Sequence, residues 1–263
     1  MARTAIVSAM DEELRGLRQH LAGAGCVRHA GRDFWTGTLA GAPVVLVLAG
    51  IGKVAAATTV ATLLCRFGDV SRLVFTGAAG GLGEGVRVGD IVVADALLQH
   101  DMDASPLFPR FEVPLYGRSR FAADAGLATA AGGAAETMLA VVCAGGACLD
   151  GGLSQAHLDE FGLVRPRVHR GLIVSGDRFV SSAGECAALR AALPDALAVE
   201  MEGAAVAQVC TDFGVPLAVV RTVSDRADDA AHVDFVRFIG DVASRYTVAV
   251  VLGLLGAPHL KSP

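Results

Sequence analysis

The sequence predicts a single-domain α/β protein. Short apolar runs alternate with amphipathic segments along the chain, and this alternation is typical of interleaved strands and helices. A length of 263 residues fits one α/β domain of ordinary size. Hydrophobic residues make up 53% of the chain and charged residues 19%, which excludes a disordered chain and indicates a large buried core. Because no linker, internal repeat or low-complexity tract interrupts it, we expect one domain over residues 1–263.

The first half of the chain is predicted to pass from strand to helix around one hairpin. An apolar run precedes an acidic amphipathic segment, and Ala40-Gly41 suits a hairpin turn between two apolar runs. The segment after Gly52 is rich in alanine, threonine and leucine, as in a buried helix. The predicted elements are a strand over 5–9, a helix over 10–21, a hairpin over 34–39 and 44–48, a helix over 53–67, and strands over 73–76 and 91–94.

The second half begins with a proline-bearing loop over 100–120, whose length is typical of a functional or partner-contacting loop. Ser182 and Glu185 form a capping-box pattern that opens a helix. Asp234 suits the N-cap of a long terminal helix, whereas residues 148–169 show no legible pattern. The remaining predicted elements are helices over 121–143, 182–193, 201–213 and 234–255 and strands over 172–175, 197–200 and 217–223.

Charge and cysteine usage narrow the functional classes. The net charge of −5 and the absence of a basic stripe argue against a nucleic-acid partner. The apolar run over 247–257 is shorter than a membrane span, so no membrane partner is expected. Six scattered cysteines without a C-x-x-C pair are typical of reduced thiols in a cytoplasmic protein. The seven histidines are scattered too, so we expect no metal site.

Three carboxylates stand where a predicted strand ends. Glu13 follows the first strand, Glu202 follows the strand that ends at Glu200, and Asp225 follows the last strand. Ligands of open α/β sheets bind outside the carboxyl ends of strands, so these acids could meet in one pocket. Each acid also has an ordinary structural interpretation, because acids in a first helical turn complement the helix dipole and Asp225 suits a turn or an N-cap.

Two glycine-rich segments follow predicted strands as well. Gly50-Ile51-Gly52 leads into a predicted helix, and the run over 77–85 is expected to do the same after Thr76. Glycine at such points lets backbone amides approach a ligand, although tight strand-to-helix turns need glycine equally. Neither segment has the spacing of a dinucleotide-binding fingerprint or of a P-loop, which argues against those two ligand classes.

Six short motifs follow one another between residues 5 and 240. They are AMDEE at 9–13, GIGKVAA at 50–56, TGAAGGL at 76–82 with VGDIV at 88–92, LIVSGDRF at 172–179, AVEME at 198–202 and VRTVSD at 220–225. In this order they resemble the purine nucleoside phosphorylase/hydrolase superfamily, and within it the bacterial 5′-methylthioadenosine/S-adenosylhomocysteine nucleosidases. The resemblance implies a three-layer αβα fold with a central mixed sheet, hydrolysis of the N-glycosidic bond of 5′-substituted adenosines without a cofactor, and a homodimer.

By this resemblance the three acids have distinct roles. Asp225 would protonate N7 of adenine, Glu13 would position or activate the attacking water, and Glu202 would hold the ribose 2′- and 3′-hydroxyls. Protonation makes adenine a neutral leaving group, so we expect burial or neighbouring acids to raise the pKa of Asp225. The charges of the other two acids would favour an oxocarbenium-like transition state, as in glycoside hydrolysis.

The resemblance also implies a substrate-binding set around these acids. Phe179 would stack on the base, and the backbone of Val180 would contact the edge of the base. The loop near Phe108 and Pro114 would cap the pocket of the neighbouring subunit. The other expected substrate-binding residues are Glu200, Met201 and Glu202 on the ribose side, Met10, Ile51 and Phe235 around the sugar and its 5′-substituent, and Ala78, Gly80 and Ser224.

The sequence favours water over phosphate as the acceptor. Phosphorylases of the superfamily hold phosphate with arginines. One of those arginines would fall at Phe75, and another near Ala30, where Arg28 and Arg32 flank the position. Ile51 is apolar where phosphate would lie. A phosphate-dependent adenine-nucleoside phosphorylase is the alternative.

The nature of the substrate is less constrained than the reaction. Asp225 favours adenine, because related 6-oxopurine enzymes commonly carry asparagine there. Ala78 stands where the family usually has serine, and residues 105–111 and 145–169 depart from its usual sequences. Two further alternatives are a nucleosidase for another adenine nucleoside, such as aminodeoxyfutalosine, and a catalytically silent nucleoside-binding protein. The three acids argue against a silent protein.

Overall fold

Ten strands and eight α-helices are present in the described residues, which are 2–145, 155–226 and 235–256 of a computed structural model. The strands are β1 (Arg3–Ser8), β2 (Ala22–His29), β3 (Arg32–Leu39), β4 (Ala42–Leu48), β5 (Val70–Gly81), β6 (Ile91–Gln99), β7 (Arg120–Ala122), β8 (Val168–Ser175), β9 (Ala196–Glu200) and β10 (Leu217–Asp225). The helices are α1 (Asp11–Gln19), α2 (Lys53–Arg66), α3 (Ala125–Cys143), α4 (Gln155–Glu160), α5 (Ala183–Ala192), α6 (Gly203–Phe213), α7 (Phe235–Phe238) and α8 (Ser244–Leu254), with a π-helical stretch, Ile239–Ala243, before α8.

The strands form one mixed sheet in the order β10-β6-β8-β9-β5-β1-β4-β3-β2, with β7 paired to β6. The long strand β5 pairs with β1 along its first part and with β9 at Gly80 and Gly81. Its other edge pairs in parallel with β10. Strands β5, β10, β6, β8 and β9 therefore close into a ring, and β1, β4, β3 and β2 extend from it. The predicted mixed sheet is confirmed, while its closure is not visible in the sequence.

Helices cover both faces of this sheet. Alternate residues of a strand point to opposite faces, and in β10 Val219 packs in the cluster that holds α2 and α6 residues, whereas Val220 packs with α3 and α8. Helix α1 joins the second face, where Leu17 packs with Ile6 of β1 and Val251 of α8. The three-layer αβα architecture is therefore confirmed.

Among the described residues, only α3 is long and apolar enough to cross a membrane by length and composition. Eight of its residues are buried, and it packs along α8 and against β6, β8 and β10. Packing inside the domain accounts for the apolar composition of this helix.

Two strands are present that the sequence pattern does not predict. All eight residues of the edge strand β2 are exposed, so its sequence has no apolar alternation. Strand β7 has three residues and pairs with β6. The helix predicted to begin at 121 is wrong at that end: Asp124 caps it by accepting a hydrogen bond from the Leu127 amide at 2.8 Å, and α3 begins at Ala125.

The second glycine-rich segment is also different from its prediction. Strand β5 continues to Gly81 instead of ending at Thr76, and no helix stands between β5 and β6. The glycine at 77 is needed because a Cβ there would lie 2.4 Å from Nη1 of Arg221. The predicted N-cap Asp234 lies outside the described residues.

Candidate active site

One cavity lies at the carboxyl ends of β1, β4, β5, β8, β9 and β10, where ligands of α/β sheets bind. The volume of this cavity is about 170 Å³. The residues that line it are Ala9, Met10, Glu13, Ile51, Ala78, Ala79, Gly80, Phe179, Val180, Val199, Glu200, Met201, Glu202, Ser224 and Asp225.

The structure brings together nearly every residue that the sequence suggested. Both expected catalytic acids and all expected substrate-binding residues except Phe235 line this cavity. Phe235 begins α7, and its side chain lies outside the described part of the chain. Ala9, Ala79 and Val199 also line the cavity. Each adjoins a predicted residue, so adjacency was the signal that could have found them.

Glu13 connects the start of α1 to β5. It stands at the third position of the helix, where its Oε2 accepts a hydrogen bond from the Met10 amide at 3.1 Å, as in a capping box. Its Oε1 accepts from the Ala78 amide at 3.0 Å, so the alanine that replaces serine still contacts this acid through its backbone. Burial raises the pKa of Glu13 against the opposing effects of Arg221 and of backbone hydrogen bonds.

Glu202 lies between β9 and α6 and is 5% exposed. Its Oε1 accepts a hydrogen bond from the Gly52 amide at 2.8 Å. Burial, together with the nearby charge of Glu200, raises the pKa of Glu202 to about 7, although Arg221 and the Gly52 hydrogen bond oppose the rise. Near neutral pH this carboxyl therefore exists in both protonation states.

Asp225 ends β10 and is 7% exposed. Its Oδ2 accepts a hydrogen bond from the Ser224 hydroxyl at 2.8 Å. Strand pairing places it opposite Gly80 of β5, on the same cavity wall. The acid thus faces the cavity from a fixed strand end, with a hydroxyl that holds one of its oxygens.

Glu200 is an anchor for the surrounding backbone. Its carboxylate accepts hydrogen bonds from the Ser175 hydroxyl, from the Glu202 amide at 3.1 Å and from the Gly203 amide at 2.8 Å. Nη2 of Arg221 lies 2.5 Å from its Oε2. These contacts fix the turn from β9 into α6, and with it the position of Glu202.

Arg221 is the residue of the site that the sequence interpretation missed. It is fully buried in β10. Its Nη2 is bonded to the Glu200 carboxylate and lies 3.8 Å from Oε2 of Glu202. Its guanidinium carbon lies 4.1 Å from the ring centroid of Phe75, a cation–π contact. The side chain of Phe75 therefore packs against the Arg221 guanidinium. The signal was an arginine inside an apolar strand, since buried arginines are almost always paired.

The rest of the cavity wall is apolar. Phe179 is 43% exposed and Ile51 is 62% exposed, so both present bare hydrophobic surface at its mouth. Val180, by contrast, is nearly buried. An aromatic ring beside buried acids suits a flat base attached to a polar sugar.

Metal ligation is not indicated in the described part of the chain, where no group of three or more histidine, cysteine, aspartate or glutamate side chains could hold an ion.

The loop with Phe108 and Pro114 contributes no residue to the lining of this cavity within its own chain. Arg28 pairs with Asp33 at 3.5 Å, and Arg32 bonds to Thr59 and to the Ala30 carbonyl. Neither arginine lines the cavity.

Several solved structures are similar to this chain over nearly its whole length. A 5′-methylthioadenosine/S-adenosylhomocysteine nucleosidase from Neisseria meningitidis, in complex with methylthio-immucillin-A, is 34% identical with a TM-score of 0.81, over 97% of this chain and 99% of that chain. The nucleosidase from S. pneumoniae with a transition-state inhibitor is 35% identical with a TM-score of 0.79, over 97% and 99%. A futalosine hydrolase mutant of Helicobacter pylori strain 26695 is 27% identical with a TM-score of 0.78, over 97% and 99%. The family model described as the phosphorylase superfamily matches residues 3–255, and the chain therefore belongs to that superfamily.

Proposed function

We propose that this protein hydrolyses the N-glycosidic bond of 5′-substituted adenosines, with 5′-methylthioadenosine and S-adenosylhomocysteine as substrates and adenine and the thioribose as products. The observation that carries the proposal is the convergence of Glu13, Glu202 and Asp225 on one cavity beside Phe179. The similarity to nucleosidases over nearly the whole chain supports it.

Departure of the base requires a proton. Adenine is a poor leaving group as an anion, and protonation at N7 lets it leave as a neutral base. Asp225 supplies that proton in this proposal, because it faces the cavity from the end of β10 with Ser224 bonded to one oxygen. A positioned general acid accelerates such a step by roughly 10²–10⁴-fold.

The attacking water is assigned to Glu13. A carboxylate offers about four acceptor sites, and backbone amides of Met10 and Ala78 use only part of the capacity of Glu13. Nη1 of Arg221, which has no hydrogen-bond partner among the described residues, lies near Glu13 behind Gly77. A water bonded to Glu13 can pass a proton to the carboxylate as its oxygen attacks C1′.

Glu202 binds the sugar and stabilises the charge that develops on it. Its ionised carboxylate can accept hydrogen bonds from the ribose 2′- and 3′-hydroxyls while one oxygen keeps the Gly52 amide. Positive charge grows on the ribose as the glycosidic bond breaks, and a buried carboxylate nearby lowers the energy of that state. Arg221 keeps two adjacent glutamates in one small volume by neutralising part of their charge.

Water is a better acceptor than phosphate in this cavity. The described residues that line it include four acids and no lysine or arginine. A phosphate would lie among like charges, which is unfavourable at these distances. Ile51 at the mouth adds apolar surface, which offers no hydrogen-bond donor to a phosphate.

A second candidate substrate is another adenine nucleoside such as aminodeoxyfutalosine. The similarity to a futalosine hydrolase mutant supports this second substrate. The exposed Ile51 at the mouth also supports it, because this side chain sets no narrow limit on the size of the 5′-substituent.

We also propose a cytoplasmic homodimer, in which the loop near Phe108 and Pro114 covers the cavity of the partner subunit.

Product analysis tests the proposed reaction. The protein is incubated with 5′-methylthioadenosine in phosphate-free buffer and again with phosphate added. We expect adenine and free methylthioribose in both buffers. A sugar 1-phosphate that appears only with phosphate would identify a phosphorylase, and the absence of adenine in both would direct the search to other 5′-substituents.

A further inference from the structure

Three loops meet around one lysine at the rim of the cavity. Lys53 begins α2, and 14% of its side chain is exposed. Its Nζ bonds to Asp101, which follows β6, and lies 3.7 Å from Asp177, which follows β8. The Lys53 amide donates to Asp177 Oδ1 at 2.8 Å, and the Asp177 amide donates to Asp101 Oδ2 at 2.9 Å. These three residues, which we name the rim clamp, form a closed ring of ion pairs and hydrogen bonds.

Gly52 connects the rim clamp to the cavity. It directly precedes Lys53, and its amide donates to Glu202 Oε1 at 2.8 Å. Its φ of +95° favours glycine, and a Cβ there would lie 3.2 Å from Asp177 Oδ1. On the other side of the clamp, Phe179 stands two residues after Asp177. The clamp therefore fixes the turn that contacts Glu202 relative to the loop that lines the base side of the cavity.

We propose that Lys53, Asp101 and Asp177 are positioning residues, which hold the Gly52 amide against Glu202 and so keep this carboxylate ready to bind the ribose hydroxyls. The inference rests on the proposed nucleosidase function. None of the three residues lines the cavity, so they act through Gly52 and Glu202. A carboxylate that accepts a hydrogen bond from a fixed amide is favoured in its ionised form.

The surroundings of Glu202 make it sensitive to this one hydrogen bond. Glu200 of β9 and Glu13 of α1 raise its pKa, and Asp225 of β10 lines the same cavity. Among the described residues, Arg221 and the Gly52 amide oppose them. Loss of the amide would remove one of the two described groups that favour the charged form, and Glu202 would be protonated over a wider range of pH.

The variant Asp177→Ala distinguishes a positioning role, exerted through the Gly52 amide, from a direct electrostatic effect of Asp177 on Glu202. The change removes a negative charge, which by through-space effects alone would lower the pKa of Glu202. Release of the Gly52 amide would raise it. The measurements are a carboxyl ¹³C NMR titration of Glu202 and the pH profile of kcat/KM for 5′-methylthioadenosine. We expect both to move to higher pH, with kcat/KM at pH 6 lower by about tenfold or more.

Two variants control for general effects. Asp177→Asn keeps an acceptor for the Lys53 amide, so it should restore most of the wild-type values. Arg120→Met breaks a different exposed ion pair, 2.6 Å long, with Asp195, and should change neither measurement. If Asp177→Ala does not fold, Asp101→Ala also removes a negative charge from the clamp and carries the same prediction.

An unchanged or lowered Glu202 titration in the folded variant would overturn the positioning role. The NMR titration needs no turnover, so it decides this role even if the wild-type protein does not cleave 5′-methylthioadenosine. That second result would count against the proposed function only.

Discussion

Replacement of Arg221 by methionine removes a cation that two buried acids share. The side chains of Arg221, Glu200 and Glu202 are 1%, 2% and 6% exposed, so solvent cannot replace the lost charge. Breaking a buried pair from one side costs about 3–5 kcal/mol. At about 2–4 °C per kcal/mol for a domain of similar size, Tm should fall by about 6–20 °C at pH 8.

The pH dependence of this loss follows from Glu202. Arg221 lowers the pKa of Glu202, so the variant would bind a proton there at higher pH than the wild type. The penalty is therefore complete above the pKa of Glu202 in the variant and shrinks as pH falls from there to about 7. It stays at its smaller value below pH 7, where both proteins carry neutral Glu202. Thermal unfolding at pH 8 and pH 5.5 measures it. A fall in Tm of under 2 °C, or one equal at both pH values, would refute the reasoning.

Two further predictions concern stability. The pKa of Glu202 is about 7 in the folded protein and its ordinary value is 4.5, so wild-type stability falls as pH rises through this window. Glu202→Gln should therefore be more stable than wild type by about 1–3 kcal/mol at pH 8 and equal to it near pH 4.5, which denaturant unfolding measures. Kinetic assays should show a lower turnover in the same variant. Gly77→Ala should cost about 1–3 kcal/mol, because its Cβ would lie 2.4 Å from Arg221 Nη1. The matched helical change Gly184→Ala meets nothing within 4 Å and should be neutral or stabilising by up to about 1 kcal/mol. Equal Tm changes in both glycine variants would contradict the crowding at Gly77.

The sequence was informative wherever function depends on residues close to a strand end. Glu13, Glu202 and Asp225 each stand within a few residues of such an end, and the strands that carry them are buried apolar runs with clear boundaries. Parallel pairing of β1 with β5 and of β5 with β10 then brings two of these ends together. A local pattern and a general rule of α/β sheets were sufficient to suggest that the three acids could meet in one cavity.

The sequence was uninformative where contacts join distant parts of the chain. Closure of the sheet depends on the last two residues of β5 pairing with β9, more than a hundred positions away. The role of Arg221 depends on Glu200 and on Phe75, whose side chain serves as its support. The rim clamp joins Lys53 to Asp177 across 124 positions. No local period encodes such pairings.

The most direct test of the central claim is the turnover of 5′-methylthioadenosine by Asp225→Asn. Asparagine has nearly the same shape as aspartate but no carboxyl proton to donate. We predict that kcat falls by about 10²-fold or more, while the Kd of a non-hydrolysable adenine nucleoside analogue changes by no more than about threefold. A variant that turns over at the wild-type rate would contradict the assignment of Asp225 as the acid that releases the base.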